Sequence, residues 1–304
     1  MSRFKIDFLG KRYWFLGFSA MLVVASVIAL LAVGLKFGIE FQGGTVVSFS
    51  QVEDVTIEQM RAAFADAGVP DAQVQSTQNA EGDTGYIVRT AESDPDVANE
   101  TYSLVVVALG VPDDAGDVTT IGPGWGENIT NAALLAFVLS IAAILLYTSL
   151  RFEYKMSLTA VIALLHDVII VLGVYALAGR EVTPNTIAAL LSIIGYSLYD
   201  TIVVFHRIRE NGQRLVKQTF MEMANDSINQ VIVRSINTSV TSLIPVLVML
   251  FFGGETLKDF AFALAVGLIA GAYSSVGVAS PIYAMWKERE PKFQALKKRY
   301  AQAS

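Results

Sequence analysis

The sequence predicts a membrane α-helical protein: six transmembrane helices, with one extracytoplasmic α+β domain between the first and the second. Three observations carry this. Of 304 residues, 53% are hydrophobic and only 16% are charged, whereas a soluble domain is about one quarter charged. Six stretches are apolar over the roughly 20 residues that cross a hydrocarbon core. A single long polar stretch, Lys36 to Asn128, separates the first two.

The six stretches run from Tyr13 to Leu35, Ile129 to Leu150, Ser157 to Leu177, Thr186 to Phe205, Val231 to Phe252 and Phe260 to Met285. The first follows basic residues but is too long for a signal-peptide core, and no small-residue cleavage site follows it, so it reads as a retained span. Lysine and arginine set the orientation. Arg3, Lys5, Lys11 and Arg12 precede span one, Arg151 and Lys155 follow span two, and Arg207, Arg209, Arg214 and Lys217 follow span four. With Arg234 at the start of span five and six more in the tail, 17 of 22 basic residues fall on one side. That side is expected to be cytoplasmic and to hold both termini, residues 1–12 and the tail 286–304. Spans two to six then occupy 129–285, and 36–128 is the outer domain.

The outer stretch holds 16 of the 28 acidic residues and three basic ones, a surface that does not seek nucleic acid. Thr45 to Phe49 alternates as a strand. Thr56 caps a helix to Ala67 whose apolar face is Ile57, Met60, Ala63 and Phe64, and Gly68 ends it. Ala72 to Thr77 and Tyr86 to Thr90 read as strands around a Glu81-Gly82-Asp83 turn. Pro95 to Leu109 reads as a second helix and Val118 to Ile121 as a last strand. That order is the ferredoxin-like one. Gly43-Gly44 and Gly122-Pro123-Gly124 read as hinges to the membrane.

Charged side chains in lipid cost a few kcal/mol at least, so Asp167 in span three, Asp200 in span four and Arg234 in span five each need a reason. Ser192, Tyr196, Tyr199 and Asp200 share one helical face, as do Arg234, Asn237, Thr238, Thr241 and Ser242. Two polar stripes need a common wet or hydrogen-bonded interior. Asp200 lies seven residues before Arg207, about 10 Å from the basic end, and Arg234 enters from the same end, so the two are expected to pair. Burial disfavours the charge of Asp200 and a nearby arginine favours it. A helix movement that separates them makes the carboxylate take up a proton. The same residues can also act as hydrogen-bonding glue between helices. Asp167 can serve either role, and His166 reads as structural, pointing to a different face. Ala263, Gly267, Gly271, Ser275 and Ala279 form a small-residue ladder on span six, suited to close internal packing more than to a dimer seam. Pro245 and Gly253-Gly254 mark a kink and a turn.

Enzymatic readings fail on the residues. Gly195-Tyr196-Ser197 lacks a facing histidine on span six, since the two histidines are His166 and His206. Tyr199-Asp200 lacks a Gly-x-Gly-Asp partner motif. No phosphate-binding glycine loop is present, and there is no cysteine. The expectation is a non-enzyme with no metal or organic cofactor, using protons as its coupling ion.

The runs Gly195-Tyr196-Ser197-Leu198-Tyr199-Asp200-Thr201, Val203-Val204-Phe205 and Arg207-Ile208-Arg209-Glu210-Asn211 resemble the fourth-span signature of the SecF family. Ser227-Ile228-Asn229-Gln230 and Arg234-Ser235-Ile236-Asn237-Thr238-Ser239 resemble its fifth-span signature. Phe37 to Thr45 resembles the segment after its first span, and His166-Asp167 its third span. Tyr199 and His206 depart from a more frequent asparagine and aspartate, and Glu40 from a more frequent aspartate. The resemblance implies half of an RND-superfamily transporter that pairs with SecD in the bacterial cytoplasmic membrane. It implies assistance to the SecYEG channel and SecA, with the proton motive force completing preprotein transport, and it makes Asp200 and Arg234 essential to proton flow. An RND-type exporter of lipids or drugs differs in carrying twelve spans in one chain. An assembly scaffold differs in tolerating neutral residues at Asp200 and Arg234.

Overall fold

A computed structural model describes residues 5–50, 52, 55–78, 84–213, 215, 218–253 and 255–300. Arg3, the Glu81-Gly82-Asp83 turn, Arg214, Lys217 and Gly254 lie outside the described residues.

Among the described residues, six helices are long and apolar enough to cross a membrane. They are α1 (Arg12–Ala32), α5 (Pro123–Arg151), α6 (Tyr154–Ala178), α7 (Pro184–Gln213), α8 (Phe220–Phe252) and a sixth made of α9 (Glu255–Ser274), a wide π-type turn (Ser275–Ala279) and α10 (Ser280–Glu288). Between α1 and α5 come β1 (Lys36–Phe37), α2 (Ile39–Gln42), β2 (Gly44–Phe49), α3 (Ile57–Asp66), β3 (Gln73–Gln78), β4 (Thr84–Thr90), α4 (Pro95–Leu109) and β5 (Gly116–Ile121). A two-residue β6 (Glu181–Val182) joins α6 to α7, and α11 (Pro291–Tyr300) closes the described chain.

Several helices extend beyond their apolar runs because polar caps, not hydropathy, end them. Thr219 caps α8 through a reciprocal bond pair with Glu222, twelve residues before the apolar run begins. Gly122 caps α5, and Pro123 stands in its first turn, where a missing N–H costs nothing. The Gly122-Pro123-Gly124 run is therefore a helix start rather than a loop hinge. α8 runs through Pro245 as one helix and ends at Gly253.

The sheet order is β3-β4-β2-β5, all antiparallel, the ferredoxin-like order. Thr56 caps α3 with Gln59 as its reciprocal partner, and Gly68 after it has φ 93°. Alternate residues Val47 and Phe49 of β2 bury against Met60 and Phe64 of α3 and Val105 and Val106 of α4. Gly43 and Gly44 take φ of 77° and 126°. A Cβ on Gly44 would stand 2.4 Å from the Thr90 carbonyl, so the strand starts where only glycine fits.

In the membrane part α6, α7 and the sixth span form the packed centre, while α5 has no buried residue in its apolar stretch. The ladder of span six packs on α7. A Cβ on Gly267 would meet the Ile193 side chain at 2.3 Å, and one on Gly271 would meet Ser197 at 2.9 Å. The wide turn precedes Pro281, which lacks an N–H and whose ring crowds the carbonyl four residues back. At the domain-bearing end, β1 pairs in parallel with β6 and Arg89 of β4 bonds Glu181 at 3.0 Å. These contacts tie the α+β domain to the loop between spans three and four.

Candidate functional site

Asp200 and Asp167 both sit within the bundle. Asp200 lies thirteen residues from the end of α7, about 20 Å at 1.5 Å per residue. It is deeper than the apolar run suggests, because α7 continues to Gln213. It is 7% exposed. Its Oδ2 lies 3.1 Å from Ser239 Oγ on α8, and that hydroxyl is also 2.9 Å from the Ser235 carbonyl one turn earlier. A hydroxyl carries a single proton. When Ser239 donates to Asp200, the carboxylate is served. When it donates to the Ser235 carbonyl, its lone pairs can accept from a protonated Asp200. The same atoms suit both protonation states.

The expected Asp200–Arg234 ion pair is not formed. Arg234 is exposed and its Nη2 donates to the Tyr199 hydroxyl at 3.3 Å, while Asp200 turns to Ser239. The two residues sit on adjoining sides of the α7–α8 seam, and Tyr199 stands beside Asp200 in the chain. A cleft of about 20 Å³ opens on Asp200 between Tyr196, Tyr199, Thr238, Ser239, Ser242 and Gly271, room for about one water. Tyr196 and Tyr199 are half-exposed at its rim. Ser192 is not at the cleft; it bonds its own helix at Ala188. Arg234, Asn237, Thr238 and Thr241 line a shallow surface on the outer side of α8. Thr238 and Thr241 donate to carbonyls of their own helix.

Asp167 is fully buried. Its Oδ2 accepts from Ser197 at 2.6 Å and Ser274 at 2.8 Å, and its Oδ1 is 3.0 Å from His166 Nδ1. His166 thus turns toward Asp167 rather than to a separate face. Beside it Thr201 and Ser275 join hydroxyls at 2.9 Å, Ser275 being the first residue of the wide turn. Sequence spacing missed Ser197, Thr201, Ser239, Ser274 and Ser275. The usable signal was Ser235 and Ser239 at i, i+4, directly facing the aspartate.

Residues 107–289 match the family described as protein export membrane protein SecD/SecF, C-terminal. Residues 28–50, which include Gly43-Gly44, match the SecD/SecF GG motif. The chain belongs to the SecD/SecF family. Among similar proteins, a protein translocase subunit SecF of Streptomyces coelicolor is 39% identical over 96% of this chain and 80% of its own. That of Thermodesulfovibrio yellowstonii is 36% identical over 93% and 95%. A protein translocase subunit SecDF of Thermus thermophilus is 34% identical over 96% of this chain but 40% of its own. The crystal structure of a SecDF described as a translocon-associated membrane protein, from the same genus, matches 94% of this chain and 39% of its own at TM-score 0.85 and 34% identity. A SecDF structure in a super-membrane-facing form matches at TM-score 0.71. This SecD/SecF member is thus a multi-pass membrane protein that corresponds to about two fifths of a SecDF chain.

Proposed function

We propose that this chain is the auxiliary subunit of the Sec protein translocase that acts with SecD. In this reading it uses the proton motive force to promote preprotein translocation across the bacterial cytoplasmic membrane, beside the SecYEG channel and SecA. Asp200 is its proton site and Arg234 the partner, with both termini in the cytoplasm. It is not an enzyme, and protons are its only coupling ion. The observation that carries this is the Ser239 hydroxyl, placed between the Asp200 carboxyl and the Ser235 carbonyl, so that loading or unloading Asp200 needs only a hydroxyl rotation. Arg234, now on Tyr199, supplies a charge that a shift of α8 along α7 can bring to or take from the carboxylate.

The SecD partnership is supported by two features. One is the SecDF relative, in which the matching segment is part of a longer chain. The other is the polar outer side of α8, where an exposed arginine within a span calls for helices beyond this chain. The orientation is supported by the basic residues gathered at one end.

The test is preprotein translocation into vesicles carrying this chain with SecD and the Sec channel, under an imposed proton gradient. Asp200→Asn is expected to remove the gradient-dependent stage and leave ATP-driven transport intact. An Asp200→Asn complex that responds to the gradient like wild type would point to a scaffold instead.

A further inference from the structure

Arg12 opens α1 at the basic end of the bundle. Its Nη1 donates to the Leu9 carbonyl at 3.0 Å and its guanidinium lies 4.7 Å from the centre of the Tyr13 ring. Its Nε is buried and has no partner among the described residues. A buried N–H without an acceptor is costly, and the side chain lines a cavity of about 350 Å³. Arg289, Lys297 and Lys298 line the same cavity, with Glu288 as the one acid among its described residues. Lys297 pairs with Glu288 at 2.9 Å. Arg12, Arg289 and Lys298 are then left with no ion-pair partner among the described residues.

Three uncompensated cations converge here from the start of α1 and from the α10–α11 segment. The cavity wall between them includes Met221 and Met285. Tyr13 and Trp14, 68% and 83% exposed, form the kind of aromatic rim found where a span meets the headgroup layer. A ligand for this place needs an acidic oxygen group to pair with the cations that line the cavity and an apolar body to follow the methionines and α1 outward. We propose that the cavity binds the headgroup phosphate of an anionic phospholipid. Arginine and lysine hold the phosphodiester by charge-assisted bonds, and the acyl chains lie along the exposed side of α1. Free phosphate satisfies the charges but not the apolar wall.

The experiment uses the full chain purified in a neutral detergent, with thermal unfolding and native mass spectrometry as readouts. Phosphatidylglycerol is titrated against phosphatidylcholine and against inorganic phosphate. The expected result is saturable binding and a raised Tm with phosphatidylglycerol alone. The triple variant Arg12→Ala/Arg289→Ala/Lys298→Ala should lose about tenfold or more in affinity, a shift of about 1.4 kcal/mol. The charge-matched control Lys5→Ala/Lys292→Ala/Arg299→Ala should keep it. Arg12→Lys, which keeps the charge but not the planar fork that meets two phosphate oxygens, should fall between them. Equal affinity in the two triple variants overturns the proposal. So does equal stabilisation by inorganic phosphate, which would mean an anion site with no lipid selectivity.

Discussion

Asp167 and Asp200 stand three hydrogen-bond partners against one. Asp167 meets His166, Ser197 and Ser274, so its carboxylate is held in a fixed cradle. Removing Ser274 takes one of two donors from the buried Oδ2, and a hydrogen bond to a charged group is among the stronger ones. Ser274→Ala should therefore lower stability by about 1–3 kcal/mol, read as a fall in Tm in detergent, with no change in which residue responds to a proton gradient. Asp200 shares one hydroxyl with a backbone carbonyl. Ser239→Ala takes from the buried Asp200 its partner hydroxyl, so it should lower the Tm as well. It should also slow gradient-driven transport several-fold, because the group that adapts to both protonation states is gone; Ser274→Ala should lower the Tm without slowing that transport. The charges at Asp167, Asp200 and Arg234 were legible in the sequence, because a charge inside a span advertises itself. The hydroxyls were not. Serine and threonine in a helix bond their own backbone by default, as Thr238 and Thr241 do. Which of them turns to a neighbour depends on helix rotation, which spacing within one helix does not contain. Spacing therefore chose Ser242 for the stripe and passed over Ser239.

At the scale of elements, the four-residue ladder of span six was readable because small residues at that period have one main use in a membrane. Its partner was not readable: Gly267 faces Ile193 and Gly271 faces Ser197, both on α7. Gly267→Leu should force α7 and the sixth span apart and cost about 1–3 kcal/mol or more, as a Tm loss. Gly17→Ala on α1, where an added Cβ meets nothing, should be neutral or slightly stabilising. The Ser197 that meets Gly271 also holds Asp167, so packing and the polar network are set by the same helix contact. The α+β domain was legible strand by strand because caps and alternation are local. The β1–β6 bridge was not, since two-residue strands far apart in the chain carry no period.

On the scale of the whole molecule, that bridge and the Arg89–Glu181 pair join the loop between spans three and four to the α+β domain. Burial pushes the Glu181 carboxyl above its ordinary value of 4.5, and the Arg89 guanidinium beside it pulls it down only in part. A carboxyl raised in the folded state adds most stability at low pH and loses it as pH rises through the raised value. The Tm of wild type relative to Glu181→Gln should thus rise as pH falls from 7 toward 4.5. A difference that stays flat would show that Glu181 does not titrate at the junction. The larger claim is the proposed one, that this SecD/SecF member moves in response to protons at Asp200. The most direct measurement is the proton current through the reconstituted complex with SecD, in a bilayer under an imposed pH difference. A current that is lost in Asp200→Asn and partly kept in Asp200→Glu is the result predicted here; an undiminished current in Asp200→Asn would contradict it.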